Sequence, residues 1–197
     1  MTDDVLDDPM KQTLHTYLRS AREAMVWKLD GLSERDVRRP LTPTGTNLLG
    51  LVKHLSIGEA WYFGRTFGRP FAEDLPWWDD GAQEQVDMWA APGETRAEIV
   101  DRYGRACRHA DATIDALGLS APGHVPWWGS PDVTLHAVLV HVVAETNRHA
   151  GHADILREQL DGAAGMRPGG SNLPEHDQAW WADLHDRIER AARAAEG

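Results

Sequence analysis

Residues 141–156, with the sequence HVVAETNRHAGHADIL, hold three histidines and one glutamate. On a helix with about 100° between residues, His149 falls about 20° from the centre of an apolar face and Glu145 about 60° from it. The two residues are four apart, so their side chains leave the same face one turn apart. His141 and His152 lie at the shoulder of that face, roughly 100° and 80° from its centre. A carboxylate and an imidazole arranged in this way are typical of a metal site inside a helical bundle.

A glutamate on a buried helix face is costly, because taking an unpaired carboxylate out of water costs several kcal/mol. Three kinds of partner would make Glu145 tolerable: an arginine, a protonated histidine or a metal ion. A metal ion also accounts for His149 one turn further along the helix. Two ligands hold a divalent ion poorly, so a third ligand is expected from another helix.

The third ligand is sought among the other histidines of the chain. The candidates are His15, His54, His109, His124, His176 and His185. His54 is the best placed, because it lies on the flank of an apolar helical stripe with no polar neighbour to explain it. We therefore predict a metal site made of His54, Glu145 and His149. Two alternatives stay open: histidines that are only hydrogen-bonded, and an ion pair of Glu145 with Arg148 or with an arginine of another helix.

Five segments repeat apolar residues at spacings of three and four, which predicts helices and no long strand. They cover about 9–29, 46–67, 95–117, 133–160 and 174–195. The predicted fold is all-α: a four-helix bundle with long crossover connections and an additional C-terminal helix across its surface. Residues 1–197 then form a single domain.

Capping residues define most of the predicted helix ends. Asp8 and Pro9 suit the cap and first position of the first helix. Thr95 and Glu98 form a capping box at the start of the third, and Gly162 ends the fourth. The apolar face of the first helix is predicted to hold Leu14, Tyr17, Leu18, Ala21 and Met25.

The connection over residues 69–94 is unusually long, with a short helix predicted around AQEQVDMW. Connections of this length in a compact domain often cover a site or cross a bundle. Two tryptophan pairs, 77–78 and 127–128, lie in the long connections. They either line the mouth of a pocket or pin the connections to the bundle. Cys107 lies on the apolar face of the third helix, which favours a packing role over a nucleophilic one.

Composition excludes several classes of function. A net charge of −11 argues against nucleic acid as the main partner, because phosphate binding requires a basic surface. The apolar runs are too short to span a membrane, and the acidic first ten residues do not form a signal peptide. One cysteine in 197 residues fits a reducing compartment, so a cytoplasmic location is expected.

Two stretches, LLGLVKHLSIGEAWYF and WWGSPDVTLHAVLVHVVAETNRHAGHADILREQLDG, resemble the DinB-like superfamily, specifically its DUF664 branch. The resemblance implies a four-helix bundle with a long crossover that is a homodimer or a monomer. It also implies a metal site with one histidine from the second helix and two ligands four apart on the last bundle helix. Those positions are His54, Glu145 and His149. With a glutamate at position 145, this site is similar to that of mycothiol-dependent maleylpyruvate isomerase, which binds zinc.

The resemblance implies a metal-dependent S-transferase that joins a low-molecular-weight thiol to an electrophilic small molecule. Zn²⁺ is the expected ion, with Fe²⁺ or Ni²⁺ as alternatives. Seventeen arginines against three lysines suggest a GC-rich coding sequence, which favours mycothiol as the thiol. His141 and His152 are candidates for a general base or for supporting the metal ligands, and Arg148 for binding the thiol. The alternatives are a thiol-dependent isomerase, a non-haem iron enzyme and a non-catalytic metal-binding stress protein.

Overall fold

The computed structural model describes residues 9–75, 77 and 81–195. These residues form six α-helices and one two-stranded hairpin. The helices are α1 (Pro9–Trp27), α2 (Glu34–Arg38), α3 (Leu48–Tyr62), α4 (Arg96–Ala116), α5 (Leu135–Asp161) and α6 (Gln178–Ala194). The strands β1 (Pro122–His124) and β2 (Asp132–Thr134) pair antiparallel. The prediction of an all-α fold is confirmed.

Four of the helices, α1, α3, α4 and α5, enclose the core. Helix α3 packs against α4 and α5, and α1 packs against α5. The buried apolar side chains form two clusters, one containing Met25, Leu51 and Ile99 and the other containing Leu18 and Ile114. Between the clusters the helices carry polar residues that are also buried, namely Arg22 on α1, Glu59 on α3 and Thr146 on α5. The bundle therefore has a polar layer between two apolar ones.

The capping residues act largely as predicted. Asn47 caps α3 and Gly162, with a φ of 76°, ends α5. The Thr95 and Glu98 capping box is present. Asp8, predicted as the cap of α1, lies outside the described residues.

Several details of the helix predictions are wrong. Helix α3 ends at Tyr62 rather than near residue 67, and α2 was not predicted. Helix α5 begins at Leu135 rather than near Val133, because residues 132–134 pair with β1 before Thr134 caps the helix. Tyr17 is 64% exposed, so it does not belong to the apolar face of α1. The apolar face of α1 is therefore narrower than predicted.

All three lysines of the chain are buried, and each holds a connection in place. Lys11 donates to the carbonyl oxygen of Leu117, beyond the end of α4. Lys28 donates to the carbonyl oxygen of Gly165, beyond the end of α5, and pairs with Asp154. A buried ammonium group needs such partners, because leaving it unpaired would cost several kcal/mol.

Lys53 holds the long connection between α3 and α4. Its Nζ donates to the carbonyl oxygens of Val86 at 2.8 Å and Trp89 at 2.9 Å, and to Glu94 at 2.7 Å. The short helix predicted in this connection is a 3-10 turn over Val86–Met88. Asn47 donates to the carbonyl oxygen of Met88. A Cβ at Gly50 would lie 1.8 Å from that same oxygen, so only glycine allows the connection to pack this closely on α3.

Helix α6 is more polar than the bundle helices, as predicted, and none of its described residues is buried. Ile188 is 62% exposed, and Trp180 and Trp181 are partly exposed. Among the described residues, no helix has both the length and the apolar character needed to cross a membrane.

Candidate metal centre

The packing of α3 on α5 brings the three predicted metal ligands together. One donor atom from each of His54, Glu145 and His149 lies within 4.8 Å of the other two. Glu145 Oε1 is 2.9 Å from His149 Nε2 and 3.9 Å from His54 Nε2. The donor atoms of a tetrahedral zinc site lie roughly 3.3 Å apart, so small side-chain movements would suffice. That these residues bind a metal ion stays a prediction.

The charge on these residues also suits a divalent cation. Among the described residues, no arginine or lysine lies within ion-pair distance of Glu145, and Arg148 is exposed. Burial lowers the pKa of His149, and the charge of the nearby His54 lowers it further. The carboxylate of Glu145 is therefore not neutralised by any arginine or lysine of the described residues. The sequence left open an ion pair between Glu145 and an arginine. The described residues contain no such pair.

Asp87 orients one of the three residues. Its Oδ2 accepts a hydrogen bond of 2.7 Å from Nδ1 of His54. The bond places a ring proton on Nδ1, and Nε2 faces Glu145. Burial alone would raise the pKa of Asp87, but its hydrogen bond with His54, the charges of His54 and Lys53 and a backbone hydrogen bond together lower it. Asp87 lies in the 3-10 turn that Lys53 holds, so the long connection supports the candidate site.

His149 lacks the support that His54 has. Its Nδ1 is buried and has no hydrogen-bond partner among the described residues. Its ring packs edge to face on His54 at 5.1 Å and on His152 at 5.4 Å. His152 itself is exposed to solvent.

A cavity of about 110 Å³ opens beside the three residues, between α3 and α5. Its lining comprises His54, Leu55, Gly58, Glu59, Tyr62, His141, Val142, Glu145 and Thr146. The walls are mostly apolar, and two candidate ligands form part of them. The donor atoms therefore face a space that a small molecule can enter.

Aromatic side chains stand at the other end of this cavity. The ring of His141 lies 4.9 Å from Tyr62 and 4.7 Å from Trp128. Burial lowers the pKa of His141 despite the opposing charge of Glu145. Trp127 packs edge to face on Trp61 at 4.8 Å. The pair at 127–128 therefore lies at the aromatic end of the cavity.

The other tryptophan pair acts differently. Trp77 lies under the charged groups of Lys53 at 4.4 Å and Arg102 at 4.8 Å, which pins the long connection to the bundle. Trp78 lies outside the described residues. Cys107 is partly buried, and burial raises the pKa of its thiol, which agrees with the predicted packing role.

A second group of charged residues lies close to the cavity. Arg22 donates two hydrogen bonds to Glu59, at 2.7 and 2.6 Å, and a third to Asp111 at 2.6 Å. His15 lies 2.7 Å from the same oxygen of Asp111. Arg22 is 5% exposed and Glu59 1% exposed. The carboxylate of Glu59 is thus already neutralised where it meets the cavity.

The remaining histidines of the candidate list lie away from the three residues. His109 contacts the carbonyl oxygen of Arg69, and His124 pairs with Asp132 on the hairpin. His176 stacks on Trp180 near the start of α6. His185 is exposed.

Comparison with family models gives a match over residues 13–162 to mycothiol-S-transferase. The chain belongs to the mycothiol-S-transferase family. The membership confirms the predicted relationship with the DinB-like superfamily. The matched region runs from α1 to the end of α5 and contains all three candidate ligands, Asp87 and the cavity. No curated protein matches the chain.

Membership in a family of mycothiol S-transferases indicates a transferase that uses a thiol. Sequence reasoning missed two residues that matter for the site. Asp87 lies 33 residues from His54 in an irregular connection, where the only available signal is an acidic residue inside a predicted short helix. Glu59 lies on α3 among apolar residues, where an acidic residue signals a buried partner, but the sequence pattern does not identify Arg22.

Proposed function

We propose that this protein is a metal-dependent thiol S-transferase that joins mycothiol, or a similar low-molecular-weight thiol, to an electrophilic small molecule. The observation that carries the proposal is the meeting of His54, Glu145 and His149 beside a cavity, with no arginine or lysine of the described residues paired with Glu145. Family membership independently supports a thiol as co-substrate. The thiol and the electrophile are the only partners that the proposal requires.

The residues fit a divalent ion in number, type and charge. Two nitrogens and one oxygen are the usual ligands of catalytic zinc sites, and three protein ligands leave a position open. Zinc is therefore the preferred ion, although Fe²⁺ accepts the same ligand set. When bound, such an ion would lower the pKa of a thiol that it coordinates, so that the thiolate persists at neutral pH.

The protein residues supply orientation and a dry space. Asp87 fixes the ring of His54. The thiol sulfur forms a bond to the electrophilic carbon, and the bond from that carbon to its leaving atom breaks. The thiol proton passes to a base or to the leaving atom. His141 faces the cavity and is the candidate for accepting that proton.

The first experiment measures the metal content of gently purified protein by mass spectrometry, together with conjugation of mycothiol to a panel of electrophiles. We expect about one equivalent of zinc in the parent protein. The Glu145→Gln and His149→Ala variants should lose both the metal and the conjugation. Glu158→Gln is a matched control, because Glu158 is an exposed acidic residue of the same helix and should keep both.

The outcomes separate the alternative functions. Iron together with oxygen-dependent turnover would point to a non-haem iron enzyme. Turnover without consumption of thiol would indicate an isomerase that uses the thiol as a cofactor. Zinc without conjugation of any thiol would leave a non-catalytic metal protein. A parent protein that binds no metal even after reconstitution would overturn the proposal.

A further inference from the structure

Two helix faces meet across the cavity beside the candidate metal site. On α3 the facing residues are His54, Gly58 and Tyr62, and on α5 they include His141 and Glu145. Residues four apart lie on one face of a helix, so each set forms a stripe along the cavity. The candidate ligands stand at one end, and the rings of Tyr62 and His141 stand at the other.

Gly58 lies between these two ends, and nothing in the backbone requires glycine there. Its φ does not lie in the left-handed region. A Cβ built on Gly58 would meet no atom within 4 Å, whereas one on Gly50 would collide with Met88. Glycine inside a helix is less stable than alanine. The effect of glycine at this position is to keep the cavity open one turn from His54.

The charges around the cavity exclude one kind of occupant and favour another. Among the described residues, no lysine or arginine lines it. The carboxylate of Glu59 is paired with Arg22, and Glu145 carries negative charge. An anionic group would therefore find no cationic partner among these side chains. Leu55, Val142 and the rings at the far end instead offer apolar and flat surfaces.

The size of the cavity limits the occupant further. An apolar cavity of about 150 Å³ holds a benzene ring, so about 110 Å³ suits a short chain or a small ring that displaces its neighbours slightly. The thiol has another approach, because the side chains of His54 and Glu145 are 26% and 36% exposed to solvent.

We propose that this cavity is the subsite for the electrophile, that it takes a small uncharged apolar or planar group, and that Gly58 sets its size limit. The inference rests on the proposed thiol transfer. With a 1,2-epoxide, for example, the sulfur forms a bond to a ring carbon and the C–O bond breaks. The ring oxygen takes the proton that the thiol gave up, so no oxidant or reductant is needed.

The test compares three epoxides at fixed mycothiol: propylene oxide, styrene oxide and the anionic epoxysuccinate. The parent should prefer the two neutral compounds. Gly58→Ala should lower kcat/KM for styrene oxide at least about tenfold more than for propylene oxide, without changing the KM for the thiol or the zinc content. Gly151→Ala is the matched control: Gly151 is also inside a helix with open space around it, but is exposed outside the cavity. It should leave all values unchanged.

Three results would contradict the proposal that the cavity binds the electrophile. One is an equal loss for both neutral epoxides in Gly58→Ala, and another is a preference for epoxysuccinate. The third is a raised KM for the thiol in Gly58→Ala, which would place the thiol in the cavity.

A binding measurement separates this inference from the proposed function. Calorimetry without thiol should detect benzyl alcohol with or without zinc, and benzoate only with zinc, whose open position accepts a carboxylate. The Gly58→Ala variant should weaken benzyl alcohol binding and Gly58→Leu should abolish it, whereas Gly151→Ala should retain it. This pattern would support the subsite even if no thiol were conjugated. Equal binding to the parent and to Gly58→Leu, or no binding to the parent, would reject the subsite even if thiol transfer were found.

Discussion

Two clusters of charged side chains lie in the bundle, and Glu59, a member of the first, lines the cavity beside the second. One cluster joins Arg22 to Glu59 and Asp111, and the other contains His54, Glu145 and His149. In the first, a guanidinium group gives hydrogen bonds to two carboxylates. In the second, the described side chains within ion-pair distance of the carboxylate are two imidazole rings.

The difference indicates what each cluster is for. A buried charge with all its partners present is complete, and its contribution is to hold helices together. A carboxylate between two imidazoles, open to a cavity, has unused coordination capacity. The first cluster links α1, α3 and α4, whereas the second joins only α3 and α5 and has an entrance. We expect the first to determine stability and the second to determine ligand binding.

The largest effect should come from breaking the first cluster. Arg22→Met would leave Glu59 buried without a cation, so the free energy of unfolding should fall by about 3–5 kcal/mol. Urea unfolding at pH 7 measures it. The double variant Arg22→Met/Glu59→Leu should recover most of the loss, because no buried charge is then left unpaired. A double variant as unstable as the single one would contradict this account.

Removing the carboxylate of the second cluster should weaken metal binding and leave the free energy of unfolding nearly unchanged. Glu145→Gln should weaken zinc binding more than about 100-fold, or about 2.7 kcal/mol, as measured by competition with a chelator. Its metal-free form should unfold within about 1 kcal/mol of the parent's, because no cation loses its partner. A loss of stability similar to that of Arg22→Met would instead show that Glu145 is part of a structural ion pair.

Asp87 tests whether the long connection contributes to the second cluster. Asp87→Asn should weaken zinc binding about 10- to 100-fold, because His54 is then held less firmly in the required orientation. The metal-free protein should keep its stability. Glu84→Gln is the control, since Glu84 is an exposed acidic residue of the same connection. Equal zinc affinity in Asp87→Asn and Glu84→Gln would show that the hydrogen bond to His54 is not needed.

The smallest expected effect is on the stability of the protein at acidic pH. Burial alone would raise the pKa of Asp111, but the hydrogen bond with His15 and the charge of Arg22 outweigh it, so the pKa lies below its usual value. Its stabilising contribution is therefore present above the unfolded pKa of about 3.9 and is lost as the pH falls through the lower folded pKa.

Acid lowers the free energy of unfolding, and this decrease should be smaller in Asp111→Asn than in the parent. The difference should be on the order of 1 kcal/mol or less, because the Asp111 side chain is 32% exposed. Unfolding by urea at pH 7 and at pH 3 measures the difference. Identical falls in the parent and the variant would contradict the prediction.

The sequence predicted the bundle because helix periodicity and capping residues are local properties. Thr95, Asn47 and Gly162 act at the helix ends within a few residues of their partners. Glu145 and His149 could be paired for the same reason, since their spacing on one helix fixes their relation.

Contacts between distant segments could not be predicted in this way. The position of Asp87 depends on the hydrogen bonds of Lys53 to the carbonyl oxygens on either side of it, and on the close approach at Gly50. Neither contact has a sequence period. The choice of Arg22 as the partner of Glu59 depends on how α1 and α3 are rotated towards each other. Helix periodicity defines a face but not which neighbouring residue it meets.

The burial of all three lysines has a consequence for covalent labelling. Lys11, Lys28 and Lys53 are each no more than 4% exposed, and their ammonium groups are engaged in hydrogen bonds. Acylating reagents react with free, deprotonated amines, so the lysines of the folded protein should resist them. The rate at which Lys53 becomes acylated would then report how often the long connection detaches from α3. Acylation of Lys53 would therefore measure the rate at which this segment opens.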